Sequence, residues 1–245
     1  MPVLLACDHA CPRVPAALGD LGLARPEFSR HIAFDIGAAD LTRILAGLLE
    51  VPAILSGYSR LVVDCNRHLH DPSAFPEISD GVVIPGNRAL NAEARTDRVA
   101  ALYRPYHDAI ASALDDLGPA PGLIAVHSFT PRLDGFVRPW HVGILWDRDD
   151  RLAVPLLGAL RADGRLCVGD NEPYSGRHPS GYTMDTHAEA RGLPHVSIEV
   201  RQDLLATPDG ISHWATLLAS ALRPILHGRF GAAAHPDVPT PDGSQ

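Results

Sequence analysis

Grouped basic residues are missing from this chain, whose 245 residues hold 21 Lys and Arg against 29 Asp and Glu, a formal charge of -8. Phosphate backbones are held by clustered cations, so nucleic acid is excluded as an expected partner. An anionic small molecule fits this balance if a few local arginines meet it. Cysteine is scarce as well. Cys7, Cys11, Cys65 and Cys167 are too scattered for a disulfide framework, and Cys7 with Cys11 lacks the second pair of a zinc knuckle. Reduced thiols and a cytoplasmic location are the expectation. No apolar run is long enough to span a bilayer, and the stretch from Met1 to His9 has no basic region and turns polar too early for a signal peptide. Neither a GxGxxG nor a Walker-type loop occurs, which removes the usual support for nucleotide binding, and there is no internal repeat.

What is present is ordinary for a globular protein with one sizeable core: 46% hydrophobic and 20% charged residues. Short apolar runs predict strands over Val3 to Cys7, Val51 to Leu55, Pro121 to Val126, His141 to Trp146, Leu166 to Val168 and Pro194 to Arg201. The first is apolar on both faces and therefore central. Between them, helical spacing predicts a helix from about Asp35 to Glu50 and another from Ala92 to Leu117, kinked or divided at Pro105. Further helices are expected over Leu152 to Leu160 and Ser212 to Leu226. Strands alternating with helices imply one α/β domain over residues 1–227, with a mixed, mostly parallel sheet covered on both faces. From Gly228 the chain is Ala, Pro, Gly and Asp without period, which reads as a frayed tail.

Charge is concentrated in one place. Ser59 to Arg67 runs Ser-Arg-Leu-Val-Val-Asp-Cys-Asn-Arg, and its β-forming Leu61, Val62 and Val63 predict a buried strand with an arginine at each end. A desolvated guanidinium needs an anion, either Asp64 or a ligand. Three other strands end in groups that bind metal or move protons: His9, His127 and Glu199. Two imidazoles and a carboxylate match the ligand set of a catalytic zinc site. Asp35 and Asp8 are the candidates for a further oxygen ligand. Asp35 competes with a role at the start of a helix, where a carboxylate favours the dipole, and Asp8 with a role supporting a ligating histidine. A serine nucleophile at Ser128 lacks the GxSxG elbow, and neighbours on a strand point to opposite faces.

Seven segments, taken in chain order, carry a resemblance. They are Asp8 to Ala10, His31 to Gly37, Ser59 to Arg67, Arg104 to His107, His127 to Pro131, Gly169 to Tyr174 and Ile198 to Leu204. Together they resemble the N-formylglutamate amidohydrolase family, which is related to the zinc carboxypeptidases and aspartoacylases. The resemblance implies a three-layer α/β/α sandwich and a zinc-dependent enzyme acting on a small anionic N-acyl amino acid. It implies that His9 and His127 are metal ligands, that Asn66 and Arg67 grip a substrate carboxylate, that Arg60 polarises the scissile carbonyl and that Glu199 is the general base. The carboxypeptidase pattern has a Glu three residues after the first ligand histidine, where this chain has Pro12, so Asp35 is the replacement ligand. Arg138 reads either as reaching the site from a loop or as a surface arginine stacked on Trp140. His187 and Arg201 read as pocket-lining or as loop-bonding groups. The alternatives are a carboxypeptidase-like or other N-acyl amino acid hydrolase, and an anion binder without turnover.

Overall fold

The computed structural model describes residues 1–162, 164–177 and 181–231. In chain order the elements are β1 (Val3–Cys7), α1 (Ala38–Leu49), β2 (Ala53–Leu55), β3 (Ile78–Ser79), β4 (Val82–Val83), α2 (Ala92–Arg98), α3 (Arg104–Asp116), β5 (Gly122–Phe129), β6 (Arg132–Leu133) and β7 (Phe136–Val137). They continue with β8 (Val142–Leu145), α4 (Ala153–Arg161), β9 (Val168–Asp170), α5 (Tyr182–His187), β10 (His195–Arg201) and α6 (Pro208–Phe230).

Six strands form one sheet in the order β2-β1-β5-β10-β8-β9. The first four are mutually parallel, β8 runs antiparallel to β10, and β9 is parallel to β8. The sheet is therefore mixed and mostly parallel, as the alternation of elements predicts. Successive residues on a strand face opposite ways, and β1 divides accordingly. Val3 and Leu5 join the core under α1, α4 and α6, while Leu4 and Ala6 join the core under α3 and α5. Two apolar layers on one sheet make the three-layer sandwich.

The structure corrects three sequence expectations. Ser59 to Asp64 forms no strand and pairs with none, although Leu61 and Val62 are fully buried. Its carbonyls are taken by side chains instead: Asn87 Nδ2 donates to Leu61 O at 2.8 Å, and Arg98 Nη1 donates to Val62 O at 2.9 Å. A buried carbonyl needs a donor, and these two satisfy it in place of a ladder. The first helix begins at Ala38, with Gly37 at its cap in the left-handed region (φ 79°), so Asp35 is not a capping carboxylate. The closing helix reaches Phe230, past the expected start of the tail at Gly228; the rest of that expectation, from residue 232, lies outside the described residues.

The helix expected across Pro105 is divided. Residues Val99–Tyr103 form a π turn between α2 and α3, and Pro105 falls in the first turn of α3. Proline has no N–H to give to the preceding turn, so a regular ladder cannot pass through it. β5 is longer than expected, which places His127 and Ser128 within the strand rather than after it.

Candidate active site

β5 and β10 lie side by side, and their register sets His127 opposite Glu199. His9 follows β1, on the other side of β5. Asp35 arrives from the turn before α1, where its backbone N donates to His9 O at 2.9 Å. The carboxyl ends of three parallel strands thus meet one turn, which is where sheets of this kind place their sites.

Two imidazoles converge on a single carboxylate oxygen. Asp35 Oδ2 lies 3.3 Å from His9 Nδ1 and 2.9 Å from His127 Nδ1. The other ring nitrogens each face a further carboxylate: His9 Nε2 is 2.7 Å from Asp64 Oδ1, and His127 Nε2 is 3.2 Å from Asp8 Oδ2. Asp8 Oδ1 accepts from Tyr106 Oη at 2.9 Å and from Thr183 Oγ1 at 2.5 Å. All of these ionisable groups are buried.

His9, Asp35 and His127 offer ligand atoms within 4.8 Å of one another, a group that could hold a metal ion. The donor set fits one. Both Nδ1 atoms and one carboxylate oxygen face a common point, and a second carboxylate behind each ring fixes the tautomer, the usual support of a ligating histidine. With both imidazoles neutral, as metal ligation requires, Asp8, Asp35 and Asp64 outnumber the guanidinium of Arg60, leaving negative charge that a divalent cation would neutralise. Asp8 sits behind His127, away from this point, so the oxygen facing it belongs to Asp35.

The charges follow from this packing. Burial opposes ionisation of Asp8, yet hydrogen bonding and charge at His127 bring it down to about 2. Burial likewise opposes Asp35, but His9 and His127 hold it well below the usual carboxylate range. Asp64 is lowered against burial by Arg60 and then His9. Glu199 behaves differently. Burial pushes it up to about 7, with the charge of Asp35 adding to the effect. Its Oε2 is buried with no hydrogen-bond partner among the described residues, so a proton-accepting atom is left uncommitted beside the two histidines.

His9, Asp35, His127 and Glu199 line a cavity of about 500 Å³ that also includes Arg60, Asn66, Arg67, His68, Asp71, Ser128 and Tyr174. Arg60 commits Nε and Nη2 to Asp64 Oδ2, at 2.9 and 2.7 Å, and holds Nη1 3.6 Å from Asp35 Oδ1. Arg67 donates Nη1 to Asn66 O and has no carboxylate partner among the described residues. Gly181 packs against Asn66 so closely that a Cβ would lie 2.3 Å from its Oδ1.

Of the expected site residues, His9, Asp35, Arg60, Asn66, Arg67, His127 and Glu199 come together on this cavity. Three do not line it. Arg138 is neither at the surface nor stacked on Trp140; it is buried, donates Nη1 to Tyr174 Oη at 3.0 Å and lies over the rings of Tyr174 and Phe129. Arg201 is spent on Asp203 and on the carbonyls of residues 138–140. His187 packs behind the site, its Nε2 3.0 Å from Nδ1 of His107. Sequence reasoning passed over His68 and Tyr174, although one follows Asn66 and Arg67 directly and the other closes the Gly169 to Tyr174 segment.

Fold and site define a class: a mixed-sheet α/β protein that gathers a potential metal-ligand triad, a buried carboxyl group and two arginines around one cavity at the ends of its strands. The N-formylglutamate amidohydrolase family model matches residues 1–206. The chain belongs to that family, and membership supports a hydrolase acting on amide bonds. A crystallised gene product of Agrobacterium tumefaciens, Atu2144, is 35% identical over 93% of this chain and 91% of its own, with a TM-score of 0.89. A crystallised N-formylglutamate amidohydrolase from Ralstonia eutropha JMP134 is 19% identical over 95% of each chain, with a TM-score of 0.67, a likeness of fold. No curated protein matches the chain. Among the described residues no helix is long and apolar enough to cross a membrane.

Proposed function

We propose that this chain is a zinc-dependent amidohydrolase that removes the acyl group from an N-acylated acidic amino acid, with N-formyl-glutamate as the first substrate to test. One observation carries the reading: His9, Asp35 and His127 turn ligand atoms to one point, and Glu199, Arg60, Asn66 and Arg67 share the same cavity.

In this proposal His9, Asp35 and His127 would hold the ion, with Asp64 and Asp8 orienting the two rings. Zinc held there would supply a water acidic enough to give hydroxide near neutral pH, its pKa falling from about 16 to about 7. Glu199 takes a proton from the attacking water as the new C–O bond forms. The C–N bond then breaks while Glu199 returns that proton to the nitrogen, because an amide nitrogen does not leave as an anion. A carboxyl group raised to about 7 is matched to both transfers near neutral pH. Arg60 turns Nη1, which carries no hydrogen bond to Asp64, toward the carbonyl oxygen as charge grows there. Arg67, with no carboxylate of its own, accepts one from the substrate in a two-pronged contact, and Asn66 adds a hydrogen bond. The four free thiols support a reducing, cytoplasmic setting.

Metal analysis of the purified protein, followed by formate release from N-formyl-glutamate, tests the reading. Expected are about one zinc per chain, loss of activity on chelation and its return with zinc. Protein without stoichiometric metal that binds the amino acid and releases no formate would be an anion binder instead. Faster release of amino acids from peptides would move the substrate to the carboxypeptidase class.

A further inference from the structure

Among the cavity groups that this mechanism does not use is a histidine. His68 follows Arg67 and lines the same wall. Its Nε2 lies 3.1 Å from Oδ2 of Asp185, a buried carboxylate on α5. The first turn of α5 is pinned to the site: Thr183 N donates to Asn66 Oδ1 at 3.3 Å, and Thr183 Oγ1 donates to Asp8 Oδ1. Tyr182 sets its ring edge-on to the imidazole, with centroids 5.2 Å apart. His68 is thus clamped by a carboxylate behind and an aromatic ring beside it, both from a segment more than a hundred residues further along the chain.

A carboxylate bonded to one ring nitrogen fixes the imidazole's orientation. With Nε2 held by Asp185, Nδ1 is the ring nitrogen left for a ligand, and a carboxylate bound there is held by the doubly protonated ring. Asp71, on the same wall, has Oδ1 occupied by Ser73 N and Oγ, at 2.8 and 2.7 Å. An acidic N-acyl amino acid brings two carboxylates into the cavity, and a carboxylate taken out of water without a partner is costly. Arg67 and Asn66 serve one of them. Arg67 and His68 line one cavity, so the two carboxylates of one small molecule can each meet one of them.

We propose that His68, oriented by Asp185, is the second anion anchor of this cavity and reads the side-chain carboxylate of the acidic N-acyl amino acid, a specificity role that rests on the amidohydrolase reading above. The test compares kcat/KM of the zinc-loaded protein on N-formyl-glutamate and on N-formyl-glutamine, its uncharged isostere. His68→Gln lowers the glutamate value about tenfold to a hundredfold and the glutamine value by less than about twofold, the difference one charged hydrogen bond makes. Asp185→Asn moves the ratio the same way by less. Calorimetric binding of glutarate against its monoamide, glutaramate, gives the same contrast without turnover. Equal losses on both members of a pair, or no loss on either, overturns the assignment. If the wild type cleaves neither formyl compound, the amidohydrolase reading fails, and the glutarate contrast still decides the role of His68.

Discussion

Two buried polar clusters flank the turn that carries Arg60, Asn66 and Arg67, and they end differently. In the first, Arg98 gives Nη1 to Val62 O and Asn87 Oδ1 and Nη2 to Gly86 O, while Asn87 gives Nδ2 to Leu61 O and Pro76 O. Four of these five bonds end on a backbone carbonyl, Asn87 is fully buried, and the buried Arg98 Nε, without a partner among the described residues, does not line the cavity. In the second, two histidines and four carboxylates crowd together, Glu199 Oε2 is left without a partner among the described residues, and the group opens on a cavity. Burial and polarity are common to both. Unspent valence facing a ligand-sized space separates a site from a brace.

Replacing Glu199 sharpens this contrast most. Glu199→Gln keeps the shape and removes the proton acceptor, so turnover falls about 10²- to 10⁴-fold with zinc content unchanged. Loss of zinc in that variant would make Glu199 a ligand and break the assignment. Arg67→Met is next, with kcat/KM down about 10- to 100-fold, mostly through KM, measured on N-formyl-glutamate.

The brace responds in another quantity. Arg98→Met leaves three carbonyl or amide oxygens short of a donor and costs about 3 kcal/mol in urea unfolding. Folded Arg98→Met protein still binds zinc stoichiometrically; a folded variant that does not would dissolve the distinction between the two clusters.

The smallest effect lies behind the site. Burial, then the charge of His107, brings His187 down to about 4 from an ordinary value near 6.5. Between these values the unfolded chain binds the proton and the folded one does not, so stability rises with pH through that window and is lost on acidification. Urea unfolding from pH 7 to pH 4.5 reads this slope, and His187→Gln flattens it.

Much of the fold is legible in short apolar runs. Val3 to Cys7 and Pro194 to Arg201 are strands within a residue of expectation, because a strand buried on both faces has few polar positions to mislead. Leu61, Val62 and Val63 carry the same signature and form no strand. Their carbonyls meet Asn87 and Arg98, which lie 26 and 36 residues away, and no local pattern announces such partners. Arg138 misled for the same reason. Its neighbour Trp140 suggested a surface stack, whereas Tyr174 and Phe129, brought by other elements, enclose it.

The sequence by itself determined the alternation of strands and helices, the scarcity of cations, and the set of histidines, carboxylates and arginines from which a site can be drawn. Only the tertiary structure decided that Asp35 faces both Nδ1 atoms, that Asp8 stands behind His127 and Asp64 behind His9, and that His68 meets Asp185. Periodicity records which side of an element is buried, a property of near neighbours. Which carboxylate meets which nitrogen depends on strand register and on how turns fold over the sheet edge, and those contacts join residues 26 to 119 positions apart.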